Sequence, residues 1–278
     1  AALDAGINAF DTAEMYGKGH SERMLAAATA GIRDKVVLMT KVFCNHLQYD
    51  QVINACHRSL KNLKTDVIDL YQIHWPAGSF GSRKVPVEET MRAMNDLKAQ
   101  GKIRAIGVSN FSRAQIEEAA RFGRIDSLQP PYSLLWRHTE KDAVPFCTAN
   151  AITVLAYSPM AQGILAGRFG AKPTFAPGDH RQGHRLFTPD IYPSVLQAVE
   201  ELKPIAQRHR ISLAQLALAW VLSHANTCAV AGARSPAQAA ENAGAMQASL
   251  AAADLAELEA ISRAVTARLD DNPVQWNF

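Results

Sequence analysis

Four residues of this 278-residue chain are of types that move a proton at neutral pH, and they recur at regular intervals. Asp11 and Tyr16 lie five apart in the run DTAEMY, Lys41 follows thirty residues after Asp11, and His74 thirty-three after that. A βαβ unit needs about 30 or more residues, so this spacing suits one such residue at the same place in successive units. A carboxylate, a phenol, an amine and an imidazole brought together could protonate a carbonyl oxygen. The Lys41 ammonium is expected to lower the pKa of the Tyr16 phenol, with Asp11 keeping Lys41 charged and in place. Taken singly, each residue reads better as a structural polar residue, as strands often end in one. Together they carry a chemical argument, because buried ionisable groups are unfavourable unless they pair.

The elements that would position them show as alternating patterns. Short apolar, β-branched runs fall at Ala9 to Thr12, Val36 to Lys41, Ile68 to Trp75, Ile103 to Val108, Ser127 to Gln129, Thr153 to Tyr157 and Thr227 to Val230. Amphipathic stretches lie between them at 21–30, 49–64, 86–101, 112–122, 142–150 and 193–224, and two more follow at 236–247 and 252–267. Such alternation predicts βα units around a parallel sheet. Seven strands suit a (β/α)8 TIM barrel that lacks its N-terminal hairpin and first strand. A doubly wound open sheet is the alternative, but no GxGxxG follows the early strands. Pro86 with Glu88 and Glu89, Ser112 with Gln115, and Ser212 with Gln215 mark helix starts, while Gly31 and Gly101 mark ends. In a parallel barrel the reactive face lies at the carboxyl ends of the strands, where Asp11, Lys41 and His74 fall. Gly167 to Pro193 is long, proline-containing and without periodicity, as a lid or binding loop would be.

Composition excludes several classes. Twenty-nine basic and 26 acidic residues give a net charge of +3 with no run of like charge, which argues against a nucleic-acid partner. Apolar runs such as LAQLALAWVL are shorter than the ~20 residues that cross a bilayer, and a cytoplasmic protein is expected. Cys44, Cys56, Cys147 and Cys228 form no CxxC pair, so they are expected to be buried free thiols in a reducing compartment. His20, His46, His57 and His74 do not form HExxH, no cysteine set suits a metal, and GxSxG is absent. With metal and serine chemistry unsupported, electrons must come from a bound organic cofactor.

The segments AGINAFDTAEMYGKGHSE, MTK, DLYQIHWP, GKIRAIGVSNFS, QPPYSLLWR, LAYSPMAQGILAGR and GARSPAQAAENA, from Gly6 to about Ala245, together resemble the aldo-keto reductases. The likeness is to the bacterial branch related to the potassium-channel β subunits. It implies that residues 1–278 form a single barrel domain that binds NADPH without a Rossmann fold and reduces an aldehyde or ketone to an alcohol. Asp11, Tyr16, Lys41 and His74 fall on the family's catalytic tetrad, with Tyr16 as proton donor and His74 orienting the carbonyl. Ser109, Asn110 and Gln129 match residues that hold the nicotinamide carboxamide, and Tyr157 matches the aromatic on which the ring stacks. An SN pair before a helix is also an ordinary N-cap.

The resemblance further places Ser158, Met160, Gly163 and Arg168 along the cofactor. Gly163 and Gly167 would permit close backbone approach, and Arg168 would supply a cation. Gly232 and Arg234 would lie at a helix N-terminus suited to an anion, with Arg234 on a 2'-phosphate, which favours NADPH over NADH. Gln238, Glu241 and Asn242 share one helix face and match adenosine contacts, although a solvated face would look alike. Trp75 and Trp136 are candidates for the substrate wall, and the carbonyl compound itself stays open. No metal, nucleic-acid or membrane partner is implied.

The chain departs from the family at its start. AALDAGINAF opens without Met, Ala1 to Ala5 read as the last turns of a helix closed by Gly6, and the family's hairpin, first strand and GxGT-like turn are not in the sequence. Roughly 40 further residues are expected upstream, from a barrel's usual length, and the chain alone is expected to be unstable, with two unpaired strand edges. A nucleotide-binding regulatory subunit like the channel β subunits is the alternative function. His74 argues for an enzyme, since those subunits resemble the reductases but carry Asn there. A phosphate-handling barrel isomerase would not need Tyr16 and Lys41 together.

Overall fold

A computed structural model of the chain describes residues 1–276. Its strands are β1 (Ala9–Asp11), β2 (Val37–Val42), β3 (Ile68–Ile73), β4 (Ile103–Ser109), β5 (Ser127–Gln129), β6 (Thr153–Tyr157) and β7 (Thr227–Val230). They form one sheet in chain order, and each registered pair from β1 to β6 is parallel. A doubly wound sheet would reverse its order at a switch point. This one does not, so the strand order is that of an α/β barrel.

The helices are α1 (His20–Ala28), α2 (Tyr49–Leu63), α3 (Val87–Ala99), α4 (Arg113–Ala120), α5 (Ala143–Ala149), α6 (Tyr192–His209), α7 (Leu213–Leu222), α8 (Pro236–Gly244) and α9 (Ala252–Thr266). Contacts divide the chain into two compact units, one of Ile7–Pro130 with Phe146–Val154, the other of Ala1–Gly6, Pro131–Pro145 and the residues from Leu155 onward.

In the first unit β2 to β5 are buried on both faces over most of their length, while β1 is only partly covered. Leu38, Ile68, Ile73, Ile106 and Val108 are almost wholly covered, as a parallel sheet flanked by helices requires. Helix α2 adds Val52, Ala55, Cys56, Leu60 and Leu63, and α3 adds Met91, Met94 and Leu97, spaced three to four apart to form one apolar stripe each. Ser112 caps α4 reciprocally with Gln115, and Gly101 takes a left-handed φ of 70° just past α3, where a side chain would be strained.

The second unit is built around α7, whose Ala214 and Leu216 to Val221 are all buried. A helix apolar on every side belongs inside a core. No helix among the described residues is long and apolar enough to cross a membrane. Here the structure corrects four expectations. The single pattern at 193–224 is two helices, because Arg210 turns left-handed (φ 56°) and Ser212 starts α7 with its own capping box. Ala1 to Ala5 form turns rather than helix before Gly6. The 167–193 segment is not structureless, since 3₁₀ turns form at His180–Gly183 and Arg185–Phe187 and Phe169, Phe175 and Phe187 pack edge to face. Cys44, Cys56 and Cys147 are buried as expected, but Cys228 is exposed, on a strand whose burial pattern leaves that residue on the open side.

Candidate active site

Four of the candidate residues meet in the first unit. Asp11 ends β1, Lys41 is the fifth residue of β2, and His74 directly follows β3. Parallel register sets Lys41 opposite Gln72, Gln72 opposite Gly107, and Gly107 opposite Ser127. Lys41 has no exposed surface. Its ammonium is paired with the Asp11 carboxylate and donates to the Thr12 carbonyl at 2.8 Å. The other carboxylate oxygen of Asp11 accepts from Gln72 Nε2 at 3.0 Å and Gln129 Nε2 at 3.1 Å. Three donors therefore compensate one buried carboxylate, as burial demands.

Tyr16 stands in the loop between β1 and α1, with its ring edge-on to the His74 imidazole at 5.6 Å and its centroid 5.4 Å from Lys41 Nζ. The residue is 41% exposed, so its phenol faces both the buried pair and solvent.

The loop is held by Glu14, which sequence reasoning passed over. Glu14 accepts from the Phe43 backbone N–H at 2.9 Å and Arg58 at 3.1 Å, and lies 2.9 Å from His46 Nδ1. Nothing in its type or spacing sets it apart from a surface carboxylate. Gln72 was also missed, because an amide in an apolar strand carries no titration signal.

Ser109, Asn110 and Gln129 join the same cluster. Ser109 Oγ donates to the Gln129 carbonyl at 2.8 Å, and Asn110 Nδ2 donates to the His74 carbonyl and to Ser109 Oγ, both at 3.0 Å. Asn110 has a φ of 60°, a left-handed conformation that Asn tolerates better than most residues. Trp75 packs edge-on to Phe80, which stacks on Phe43, itself edge-on to His74. An aromatic patch thus borders the imidazole. The cavity of about 170 Å³ lined by Leu47, Ile73, Pro76, Val87, Thr90 and Phe111 contains none of the candidate residues.

The other candidates lie in the second unit. Tyr157, Ser158 and Met160 are half-buried, and Arg168 is exposed. Ser158 (φ 53°), Gln162 (φ 58°) and Gly163 (φ 94°) crowd left-handed backbone into one short segment, braced by Gln162 Nε2 donating to Ser158 Oγ at 2.8 Å. Strain of this kind persists where surrounding structure enforces it. Ser235 caps α8 by accepting from the Gln238 N–H, the Arg234 N–H donates to Gln238 Oε1 at 2.8 Å, and Asn242 Nδ2 donates to the Gly232 carbonyl at 3.3 Å. Arg234 and Glu241 are exposed and Gln238 and Asn242 half-buried. A cation at an open helix N-terminus is an arrangement that can hold a phosphate. Trp136 is fully buried and its indole N–H donates to the Pro273 carbonyl at 3.2 Å, so it packs the core rather than lining an open wall. Among the described residues no His, Cys, Asp and Glu cluster could hold a metal ion.

The pattern that defines the Aldo/keto reductase family matches residues 1–263. The chain belongs to this family. It is an oxidoreductase fold of the (β/α)8 type, and its solved relatives agree. An aldo-keto reductase from Klebsiella pneumoniae in complex with NADPH superposes with a TM-score of 0.78 at 30% identity, covering 100% of this chain and 86% of that one. Methylglyoxal reductase YeaE of Escherichia coli (strain K12) is 37% identical over 262 residues, 93% of this chain and 81% of the relative. The NADH-specific methylglyoxal reductase of the same organism is 31% identical, covering 94% and 85%. A probable voltage-gated potassium channel subunit beta of Arabidopsis thaliana is 33% identical, covering 86% and 77%.

In this aldo/keto reductase the electrostatics differ from the sequence-based expectation in one respect. Burial, then the charge of Asp11, pushes the Tyr16 phenol up to about 12 rather than down. The Asp11 carboxylate that pairs with Lys41 opposes ionisation of the phenol, and burial holds Lys41 itself below the usual lysine range. Burial, followed by the charge of Lys41, drives His74 down to about 3. The imidazole is therefore neutral throughout the physiological range.

The buried histidines bear on acid stability. His184, in the second unit, is driven down to about 4 by burial and by Arg185. Both imidazoles stay neutral when folded, whereas the unfolded chain protonates them below about 6.5. The unfolded state then binds more protons, so stability is fullest above that pH and is lost as pH falls toward the folded values. Two such groups give a slope of roughly 2–3 kcal/mol per pH unit near pH 5. Urea unfolding at a series of pH values should show this fall; an unfolding free energy flat from pH 7 to pH 5 would contradict it.

Proposed function

We propose that this aldo/keto reductase reduces an aldehyde or ketone to an alcohol using NADPH, with Tyr16 as proton donor. The observation that carries the reading is the buried Lys41–Asp11 pair set against the ring of a partly exposed Tyr16, with His74 edge-on to it. When bound, the dinucleotide supplies a hydride to the carbonyl carbon. Tyr16 gives its phenolic proton to the carbonyl oxygen, and the product is the alcohol. With a pKa near 12 the phenol is protonated at neutral pH, and its exposure lets water restore the proton. His74, neutral, orients the oxygen by hydrogen bonding beside Tyr16 and adds no positive charge to compete with proton transfer.

The residues fit a nicotinamide dinucleotide. Gln129 spends its N–H groups on Asp11 and Gln72, leaving an amide oxygen for a carboxamide, with Ser109 and Asn110 beside it. In the second unit, Tyr157 offers a ring for stacking, and Ser158, Met160, Gly163 and Arg168 supply backbone approach and a cation. Gly232, Arg234, Gln238, Glu241 and Asn242 suit an adenosine phosphate. Arg234 favours NADPH over NADH, since a guanidinium matches a phosphate dianion. Trp75 would form part of the substrate wall.

The NADPH complex of the Klebsiella relative supports the cofactor, and the methylglyoxal reductase relatives, one of them NADH-specific, support the carbonyl substrate. The channel-subunit relative supports a second one, a nucleotide-binding subunit without turnover. One assay separates them: NADPH fluorescence followed with a panel of aldehydes and ketones that includes methylglyoxal. Carbonyl-dependent loss of the signal, slower with NADH, is expected. Binding without loss against every carbonyl would favour the second reading.

A further inference from the structure

Glu14 takes no part in the proposed chemistry, yet its carboxylate is nearly covered and its bonds reach out of its own loop. Oε1 accepts from the Phe43 N–H at 2.9 Å and lies 2.9 Å from His46 Nδ1, while Oε2 accepts from Arg58 Nη2 at 3.1 Å. Its backbone N–H donates to the Lys41 carbonyl at 3.2 Å. One residue thereby joins the β1–α1 loop to the end of β2, to the turn Cys44–His46 and to α2.

The two loops it joins each send an aromatic ring to the same imidazole. Tyr16, two residues after Glu14, and Phe43, whose N–H Glu14 holds, both meet His74 edge to face, at 5.6 Å and 5.7 Å. The chain on the other side of Tyr16 is less constrained. Gly17, Lys18 and Gly19 follow with φ of 58°, 52° and 79°, and glycines give a left-handed tip of this kind wide conformational freedom. The backbone N–H groups of Tyr16, Lys18, His20 and Ser21 bond to the carbonyls of Ala13, Met15, Gly17 and Tyr16, all inside the same segment. Glu22, which accepts from Thr40 Oγ1 at 2.8 Å, ties the chain to β2 again beyond that tip. The tie nearest the phenol-bearing residue is therefore the Glu14 carboxylate.

We infer that Glu14 is a positioning residue for the proton donor, fixing the Tyr16 loop to Phe43 so that the phenol and His74 converge on one carbonyl oxygen. This rests on the proposed function in taking Tyr16 as the donor. A misplacement of about 1 Å in a reacting group can cost about 10²-fold in rate. Glu14 can thus govern turnover without touching substrate or cofactor.

The test is a double-mutant cycle on single-turnover NADPH oxidation, followed by fluorescence with the carbonyl of the panel that wild type reduces fastest. Glu14→Ala should lower the rate constant about 30-fold or more, leaving NADPH affinity and the carbonyl concentration for half-maximal rate within about 3-fold. In the Tyr16→Phe background, with no phenolic proton to place, the same substitution should cost less than about 3-fold. Loss of folded protein lowers the amplitude rather than the rate constant, and a merely structural role would act alike in both backgrounds. Where Glu14→Ala fails to fold, Glu14→Asp carries the comparison: it keeps the charge, shortens the stem by one methylene, and should cost about 10-fold with Tyr16 present. An equal cost in the two backgrounds, or a cost below about 3-fold in both, would overturn the inference and leave the proposed function standing. A wild-type rate in Tyr16→Phe alone, or no carbonyl reduced by wild type, would overturn the proposed function, and the inference with it.

Discussion

Tyr16→Phe is expected to lower the turnover of carbonyl reduction about 10³-fold while changing NADPH affinity by less than about 2-fold. The substitution removes one oxygen from a ring whose edge contact with His74 and position near Lys41 Nζ do not depend on that oxygen. What is lost is the proton given to the developing alkoxide. His74 cannot replace it, because an imidazole held near pKa 3 carries no spare proton at neutral pH. The pH profile follows from the same electrostatics. With the phenol near 12, the wild-type reduction rate should show no Tyr16 titration between about pH 6 and pH 9, whereas a phenol lowered by an unpaired lysine would give a fall on the alkaline side. Stopped-flow turnover across that range, on wild type and Tyr16→Phe, reads both effects. Turnover within about 5-fold of wild type in the variant would remove Tyr16 from the donor role.

Lys41→Met is expected to be the most destabilising single change in the cluster. It leaves the Asp11 carboxylate buried with two amide donors and no counter-charge. Removing one partner of a buried ion pair costs about 3–5 kcal/mol, because the desolvated charge left behind is no longer matched. For a chain of this size each kcal/mol shifts Tm by roughly 2–4 °C, so a fall of about 6–20 °C in thermal melting is predicted. Removing the charge of the partner as well, in Asp11→Asn with Lys41→Met, should recover much of that loss, since no unpaired ion then remains. Neither variant should retain turnover. A double variant less stable than Lys41→Met would mean that the pair is net stabilising beyond charge compensation.

Much of this was legible in the sequence, for physical reasons. Short apolar, β-branched runs between period-3.6 stretches located the seven strands of the described residues, because a parallel sheet covered by helices needs continuous apolar runs. The capping residues Ser112 and Ser212 were equally readable, and Ser212 contained the signal that divides α6 from α7. Asp11, Tyr16, Lys41 and His74 stood out because titratable groups at strand ends are conspicuous. The environment of those groups did not show. Whether Lys41 acidifies Tyr16 depends on how completely Asp11 neutralises it, which is a matter of geometry rather than spacing. Gln72 and Glu14 were invisible for a related reason: a neutral amide in a strand and a carboxylate in a loop acquire roles only through the partners that the fold brings to them. Trp136 shows the converse, since a tryptophan near a strand end reads as a wall until its indole N–H is found committed to Pro273.

We propose that these residues serve hydride transfer rather than nucleotide binding alone. The direct measurement is incubation of the protein with NADPH deuterated at the transferring position of the nicotinamide ring and an aldehyde such as methylglyoxal, followed by mass spectrometry of the product. One deuterium on the carbinol carbon for each NADPH oxidised is expected, in wild type and not in Tyr16→Phe. NADPH bound and recovered unchanged, with no labelled alcohol from any carbonyl tested, would contradict it.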